Sequence, residues 1–192
     1  MCIRDRLYVP SDNIITLNNI VECLDWNDVI LVGSACQCLY YTYGKYNDID
    51  LINKTNNLEN CAIKHFDLIS KKINKDYSIT FKSEYKIIAK FIINNKELNI
   101  EVFNVNNIEQ KISNFHLDPA RMYYDGSFHM TCCCLNALRT KQICGAKYFT
   151  GKKSLLKILQ NYSKKGYKIV MPFPVELNNT LKFNKVNVKY IY

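Results

Sequence analysis

Residues 29–51, VILVGSACQCLYYTYGKYNDIDL, decide the fold. The segment begins with a short apolar run that is typical of a buried strand and ends at Gly33. Ser34 then opens a stretch that is predicted to form a helix as far as Gly44. In the following DIDL, aspartates alternate with apolar residues, which indicates a strand with one polar and one apolar face. The segment therefore predicts strand, helix and strand in succession.

Two acidic side chains lie on the polar face of the second predicted strand. Asp48 and Asp50 are separated by one residue, so they point to the same side and lie close together. Two such carboxylates repel each other strongly unless a cation neutralises them. Mg²⁺ and Mn²⁺ bind carboxylate oxygens as ligands. The turn at Gly33 and Ser34 brings backbone N–H groups to a helix start, which favours a bound phosphate.

The rest of the chain predicts an α+β fold. The expected architecture is a mixed β-sheet with flanking helices and a small basic C-terminal appendage. Helices are predicted from Asp12, over residues 58–74, from Thr131 and over residues 152–166; strands are predicted at 77–82, 86–93, 97–105 and 186–192, with a hairpin turn at Asp125 and Gly126.

Charge is distributed unevenly along the chain. Residues 1–110 carry 12 Lys and Arg against 14 Asp and Glu, whereas residues 111–192 carry 14 against 3, within a total of +9. The basic half indicates a polyanionic partner, although a lysine-rich composition from an AT-rich genome would also produce many lysines. We predict a catalytic core at residues 7–110 and a basic appendage at residues 111–192. Residues 1–6, MCIRDR, resemble translated sequencing adapter and are left out of the core.

Composition excludes several protein classes. With 6 Gly and 4 Pro in 192 residues, the chain is neither collagenous nor mostly disordered. No run approaches the ~18 apolar residues of a membrane span, which predicts a soluble protein of the cytoplasm or another intracellular compartment, with no membrane partner. The 9 cysteines include three in a row and lack paired zinc-knuckle spacing, so reduced thiols are expected.

The arrangement of Gly33-Ser34 followed by Asp48-Ile49-Asp50 resembles the DNA polymerase β superfamily of nucleotidyltransferases. Members of that superfamily carry a third carboxylate on a later strand, and Glu101 in LNIEVF matches its description. Glu stands there in place of the more frequent Asp. Two other acids, Glu97 and Glu84, stay open as alternatives for the third carboxylate.

The resemblance implies a role for each matching residue. Gly33 and Ser34 would contact the β- and γ-phosphates of a nucleoside triphosphate such as ATP. Asp48 and Asp50 would bridge two Mg²⁺ or Mn²⁺ ions, and Glu101 would hold the metal that lowers the pKa of an acceptor hydroxyl. The implied reaction transfers a nucleoside monophosphate to a hydroxyl acceptor, a nucleic-acid 3′ end above all, and releases pyrophosphate.

The C-terminal half has a more distant resemblance. Residues 115–130, FHLDPARMYYDGSFHM, are similar to nucleotidyltransferase-like proteins of large DNA viruses and to viral poly(A) polymerases. Candidate contacts to triphosphate or nucleic-acid backbone are Arg121, Lys141, Lys152 and Lys153, with a solvated basic face as the alternative for each. Alternative functions are a nucleic-acid-binding module without turnover and nucleotidylation of a small molecule or protein.

Overall fold

The computed structural model describes residues 12–42, 46–115, 117–144, 155–171 and 188–190. The described helices are α1 Asp12–Cys23, α2 Gly33–Tyr41, α3 Leu58–Ile73, α4 Ile108–Ser113, α5 Cys132–Thr140 and α6 Leu155–Lys164. The described strands are β1 Val29–Val32, β2 Asp48–Asn53, β3 Tyr77–Lys82, β4 Lys86–Ile93, β5 Lys96–Phe103, β6 Met122–Tyr124, β7 Phe128–Met130, β8 Gln142–Ile143, β9 Lys168–Met171 and β10 Val188–Tyr190. A 3₁₀ turn covers Asp118–Ala120.

Seven strands form one mixed sheet in the order β3-β4-β5-β2-β1-β6-β7. β2 and β5 run parallel, while β1 pairs antiparallel with β2 and β6, and β4 pairs antiparallel with β3 and β5. The predicted α+β class is confirmed. Since β2 is central, the aspartates on its polar face lie in the middle of the sheet.

One face of this sheet is packed against helices. α3 lies against β2, β4 and β5, and α1 packs on α3. Alternate residues of β4 and β5 are buried on this face, as the period of two requires. The fully buried large side chains of this layer include Phe66, Phe91, Leu17, Ile20, Leu31, Ile49, Leu51, Ile69 and Ile87. Burying each one contributes about 1.5–3 kcal/mol, so this layer holds the site-bearing strands in place.

α2 is shorter than predicted. It begins at Gly33 and ends at Tyr41, and Thr42 adopts the left-handed conformation with φ 57°. The Thr42 backbone N–H donates to the Leu39 carbonyl at 3.3 Å, which closes the helix before the predicted stop at Gly44. Gly44 itself lies outside the described residues.

The described residues divide into two compact units, one of residues up to 108 together with 123–129, the other of 109–122 together with those from 130 on. The second unit has its own apolar core of Leu117, Ile143, Ile158, Leu159, Tyr167 and Ile169. It also contains the parallel strands β8, β9 and β10. The predicted functional division at residue 110 stays a prediction. Within the described ranges, no helix is long and apolar enough to cross a membrane.

Candidate active site

The site lies where β2 meets β5. The register places Asp50 of β2 directly opposite Glu101 of β5. Asp48 lies two residues before Asp50 and therefore on the same face, while Ile49 and Leu51 are fully buried on the other face. The alternation in β2 and its pairing with β5 thus bring all three acidic side chains to the sheet face away from α3, which we call the open face.

The three carboxylates form a compact cluster. One oxygen each from Asp48, Asp50 and Glu101 lies within 4.8 Å of the others, and all three residues are partly exposed. Clustered carboxylate oxygens are the ligand type that Mg²⁺ and Mn²⁺ prefer, so these residues fit a divalent metal. Glu97 and Glu84 are exposed and lie outside this cluster, and Glu97 accepts a hydrogen bond from Lys90.

Gly33 approaches the cluster from the first turn of α2. A Cβ at residue 33 would lie 2.5 Å from Asp50 Oδ2, and Gly33 has φ +74°, which side chains rarely adopt. Only glycine adopts this φ readily and also leaves the Asp50 carboxylate where it is. The cap position of α2 is Val32, which gives no side-chain hydrogen bond to the first turn, and Ser34 follows inside that turn rather than capping it. The helix start, with its positive end of the dipole, therefore lies beside Asp50.

A lysine from the neighbouring strand reaches the third carboxylate. Lys86 Nζ of β4 donates to Glu101 Oε2 at 3.0 Å, and both side chains are partly exposed. The same ammonium lies 5.8 Å from the centre of the Phe81 ring. The sequence prediction missed Lys86. Its signal was the period of two in KIIAKFII, which puts Lys86 and Lys90 on the polar face of a strand.

The structure resembles solved enzymes that process tRNA. A tRNA-processing enzyme in an apo form matches with a TM-score of 0.54 and 14% identity, over 84% of this chain and 45% of that one. A CCA-adding enzyme complexed with CTP matches with a TM-score of 0.56 and 13% identity, over 83% and 41%. A tRNA nucleotidyltransferase complexed with a primer tRNA and an incoming ATP analogue matches with a TM-score of 0.51 and 13% identity, over 74% and 43%.

The chain has a nucleotidyltransferase fold. It spans less than half the length of these three enzymes, and at 13–14% identity the likeness is one of fold. Neither the protein-family models nor the curated proteins contain a match to the sequence.

Arg121, a predicted phosphate contact, is buried in the second unit. Its Nη1 donates to Asp118 Oδ1 at 2.6 Å and its Nε to the Phe115 carbonyl at 3.0 Å, while Nη2 is buried without a partner among the described residues. Lys141 lies over the Tyr167 ring, with Nζ 4.7 Å from its centre. Lys152 and Lys153 lie outside the described residues. Phosphate contacts by these four side chains stay predictions.

Proposed function

We propose that this chain is a metal-dependent nucleotidyltransferase that transfers a nucleoside monophosphate from a nucleoside triphosphate to the 3′ hydroxyl of a nucleic-acid strand. One observation carries the proposal. Three carboxylates from two neighbouring strands converge on the open face of the sheet, directly beside the glycine that starts a helix. This arrangement puts metal ligands and a phosphate-binding helix start in one place.

Asp48, Asp50 and Glu101 would hold Mg²⁺ or Mn²⁺. When bound, the metal lowers the pKa of the acceptor hydroxyl and neutralises charge on the phosphates. The carboxylates themselves fix where the acceptor oxygen and the α-phosphate meet, because they project from two strands in register. The site is thereby preorganised by the sheet rather than by a loop.

Gly33 and Ser34 would bind the triphosphate. With no side chain at residue 33, the backbone at the start of α2 is open to close approach by phosphate oxygens, which the helix dipole favours. In the reaction, the acceptor oxygen forms a bond to the α-phosphorus and the bond from that phosphorus to the bridging oxygen breaks. Pyrophosphate leaves, and the hydroxyl proton passes to solvent. Arg121 and Lys152 remain candidate contacts to the triphosphate or to a nucleic-acid backbone.

A nucleic-acid acceptor is favoured by charge and by the solved structures. Residues 111–192 carry a net charge of +11, which suits a polyanion. One similar structure is described as complexed with a primer tRNA and an incoming ATP analogue. We extend both features to this chain as part of the proposal. Kinship with members from large DNA viruses stays a prediction.

The test is transfer of label from each α-labelled nucleoside triphosphate to RNA, DNA, a small hydroxyl compound or a protein. Label should enter RNA or DNA in the presence of Mg²⁺ and stop on adding EDTA. Asp48→Asn with Asp50→Asn should abolish transfer, whereas the matched control Asp76→Asn changes an exposed acid outside the cluster and should leave it intact. Transfer that survives the double substitution would refute the metal-site assignment.

The alternative functions give different outcomes in the same assay. A binding module without turnover would bind RNA and transfer no label under any metal. A small-molecule or protein nucleotidyltransferase would label those acceptors and leave RNA and DNA unlabelled. The carboxylate cluster favours an enzyme, because it combines ligands suited to a divalent metal with an adjacent helix start suited to a triphosphate.

A further inference from the structure

An exposed aromatic ring lies on the same sheet face as the carboxylates because of an irregularity in β3. Ile79 pairs with Ala89, so regular antiparallel pairing would place Phe81 opposite Ile87. The register shifts between Ile79 and Phe81, and Phe81 pairs with Ile88 instead. This β-bulge moves the Phe81 side chain from the helix-covered face to the open face. β-Bulges are frequent next to active sites, where they redirect a side chain.

Phe81 belongs to a row of residues that crosses the sheet. Phe81 pairs with Ile88, Ile88 with Glu101, and Glu101 with Asp50. Because directly paired residues share a face, the ring and both carboxylates are on one side of the sheet. Two strand spacings separate Phe81 from Glu101, or about 10 Å between their backbones. The terminal nucleotides of a strand whose 3′ hydroxyl lies at the carboxylates can reach the ring across that distance.

Phe81 is exposed and lies beside a cation, a combination of groups that can bind a nucleotide. The residue is 47% exposed although phenylalanine is usually buried. Lys86 Nζ lies 5.8 Å from the ring centre and 3.0 Å from Glu101 Oε2, so one ammonium joins the ring to the carboxylate cluster. An exposed ring beside a cation is the combination that binds single-stranded nucleic acid, the ring by stacking on a base and the cation by pairing with a phosphate.

We propose that Phe81 and Lys86 form the acceptor-side subsite, which takes the unpaired 3′-terminal bases of a single nucleic-acid strand. Phe81 stacks on a terminal base, and Lys86 pairs with the adjacent phosphate. The subsite rests on the proposed function in one respect, since the acceptor is the substrate that must reach the carboxylates. It adds to that function the form of the acceptor, which is an unpaired 3′ end. A base stacked within a duplex has no free face on which the Phe81 ring could stack.

The first test measures binding without catalysis. A short single-stranded RNA with 2-aminopurine as its 3′-terminal base is titrated with the full chain in EDTA, and its fluorescence is followed. Stacking on Phe81 should quench the probe. Phe81→Leu keeps an apolar side chain but removes the ring, and it should weaken binding about tenfold and abolish the quench. Phe81→Trp should restore both.

The control comes from the same strand. Ile79 is 46% exposed, close to the exposure of Phe81, but it pairs with Ala89 on the opposite face. Ile79→Ala should bind and quench as the unaltered chain does. Equal loss in Ile79→Ala and Phe81→Leu would overturn the subsite, because it would show general damage to the sheet edge. Unchanged binding in Phe81→Leu would overturn it as well.

A second measurement separates this subsite from the proposed function. In the transfer assay, Phe81→Leu should raise KM for the RNA acceptor about tenfold and leave KM for the nucleoside triphosphate unchanged. If RNA is extended but its KM is unaltered in Phe81→Leu, the function holds and the subsite is wrong. If no acceptor is extended while the 2-aminopurine quench still depends on Phe81, the subsite holds as a nucleic-acid contact and the proposed function is wrong.

Discussion

Gly33 and Asp50 lie so close together that a Cβ at residue 33 would be 2.5 Å from Asp50 Oδ2. That separation is far below any ordinary contact, so the absence of a side chain at residue 33 is a condition for the position of the carboxylate. The turn at Gly33 and the strand that carries Asp50 are therefore one structural unit, because a side chain added to the first would displace the carboxylate of the second.

We expect Gly33→Ala to weaken divalent metal binding about tenfold or more, because the new methyl group must push the Asp50 carboxylate away from its partners. Isothermal titration with Mn²⁺ measures the change. Gly126→Ala is the matched control, because Gly126 has φ +100° but, among the described residues, a Cβ there would meet only the Trp26 ring, with Cδ1 at 3.7 Å and Cγ at 3.9 Å. It imposes comparable backbone strain without touching the cluster. Equal Mn²⁺ affinity in both variants would contradict the relationship.

We expect Lys86 to compete with a bound metal for Glu101. Its ammonium pairs with Glu101 Oε2 at 3.0 Å, and a partly exposed pair of this kind is worth about 0–1 kcal/mol. Lys86→Met should therefore tighten Mn²⁺ binding by up to about fivefold. Lys90→Met is the control, because Lys90 lies on the same strand and pairs with Glu97, outside the cluster. Weaker Mn²⁺ binding in Lys86→Met would show instead that the lysine holds Glu101 in its ligating position.

The elements that carry the site could be predicted from local sequence. VILV is bounded by Gly33 and uniformly apolar, and the strand with Asp48 and Asp50 alternates with period two, so both patterns indicate strands without any tertiary knowledge. Glu101 was identified through the resemblance to the DNA polymerase β superfamily, whose third carboxylate lies on a later strand, and Glu97 and Glu84 stayed open beside it. The bulge in β3 could not be found, since one extra residue leaves an apolar alternation such as YSITFK almost unchanged.

Contacts between strands required the sheet order. Lys86 reaches Glu101 because β4 lies next to β5, and β5 next to β2, an order that hydrophobic patterns do not specify. The buried ion pair of Asp118 and Arg121 could not be predicted from the sequence either, because isolated charged residues are expected at the surface. Whether a segment forms a strand is thus decided largely by its local sequence. Which charged side chains pair across strands depends on the tertiary fold.

The ion pair between Arg121 and Asp118 should be important for the stability of the second unit. Both side chains are buried, at 9% and 6% exposure, so removing the cation takes the opposite charge away from a buried carboxylate. Arg121→Met should lower the free energy of unfolding in urea by about 3–5 kcal/mol. Arg139→Met, which changes an exposed arginine of α5, should cost less than about 0.5 kcal/mol.

A double variant tests the cause of that loss. In Arg121→Met with Asp118→Asn, both charges of the pair are removed, so part of the stability should return. If Arg121→Met instead leaves the urea midpoint unchanged and raises only KM for the nucleoside triphosphate, Arg121 acts on the phosphates as predicted from the sequence rather than on the fold.

The buried cysteines should react more slowly with an alkylating reagent than the exposed ones. Burial raises the pKa of Cys61 to about 11 and that of Cys134 to about 12, because a thiolate loses its hydration there. Cys132 and Cys133 are exposed. The thiolate is the reactive form, so iodoacetamide at pH 8 should label Cys132 and Cys133 first, as peptide mass spectrometry would record. Labelling of Cys61 and Cys134 should require urea.

The same pKa shifts give stability a pH dependence. A thiol whose pKa is raised on folding stabilises the native state below the ordinary value of 9.0, and this contribution is lost as the pH rises towards the folded pKa. The free energy of unfolding should therefore fall between pH 9 and pH 11, as urea titrations would measure. Cys61→Ala should show a shallower fall over this interval, whereas Cys132→Ala, at an exposed position, should follow the unaltered chain. Identical slopes for Cys61→Ala and Cys132→Ala would contradict the burial of Cys61.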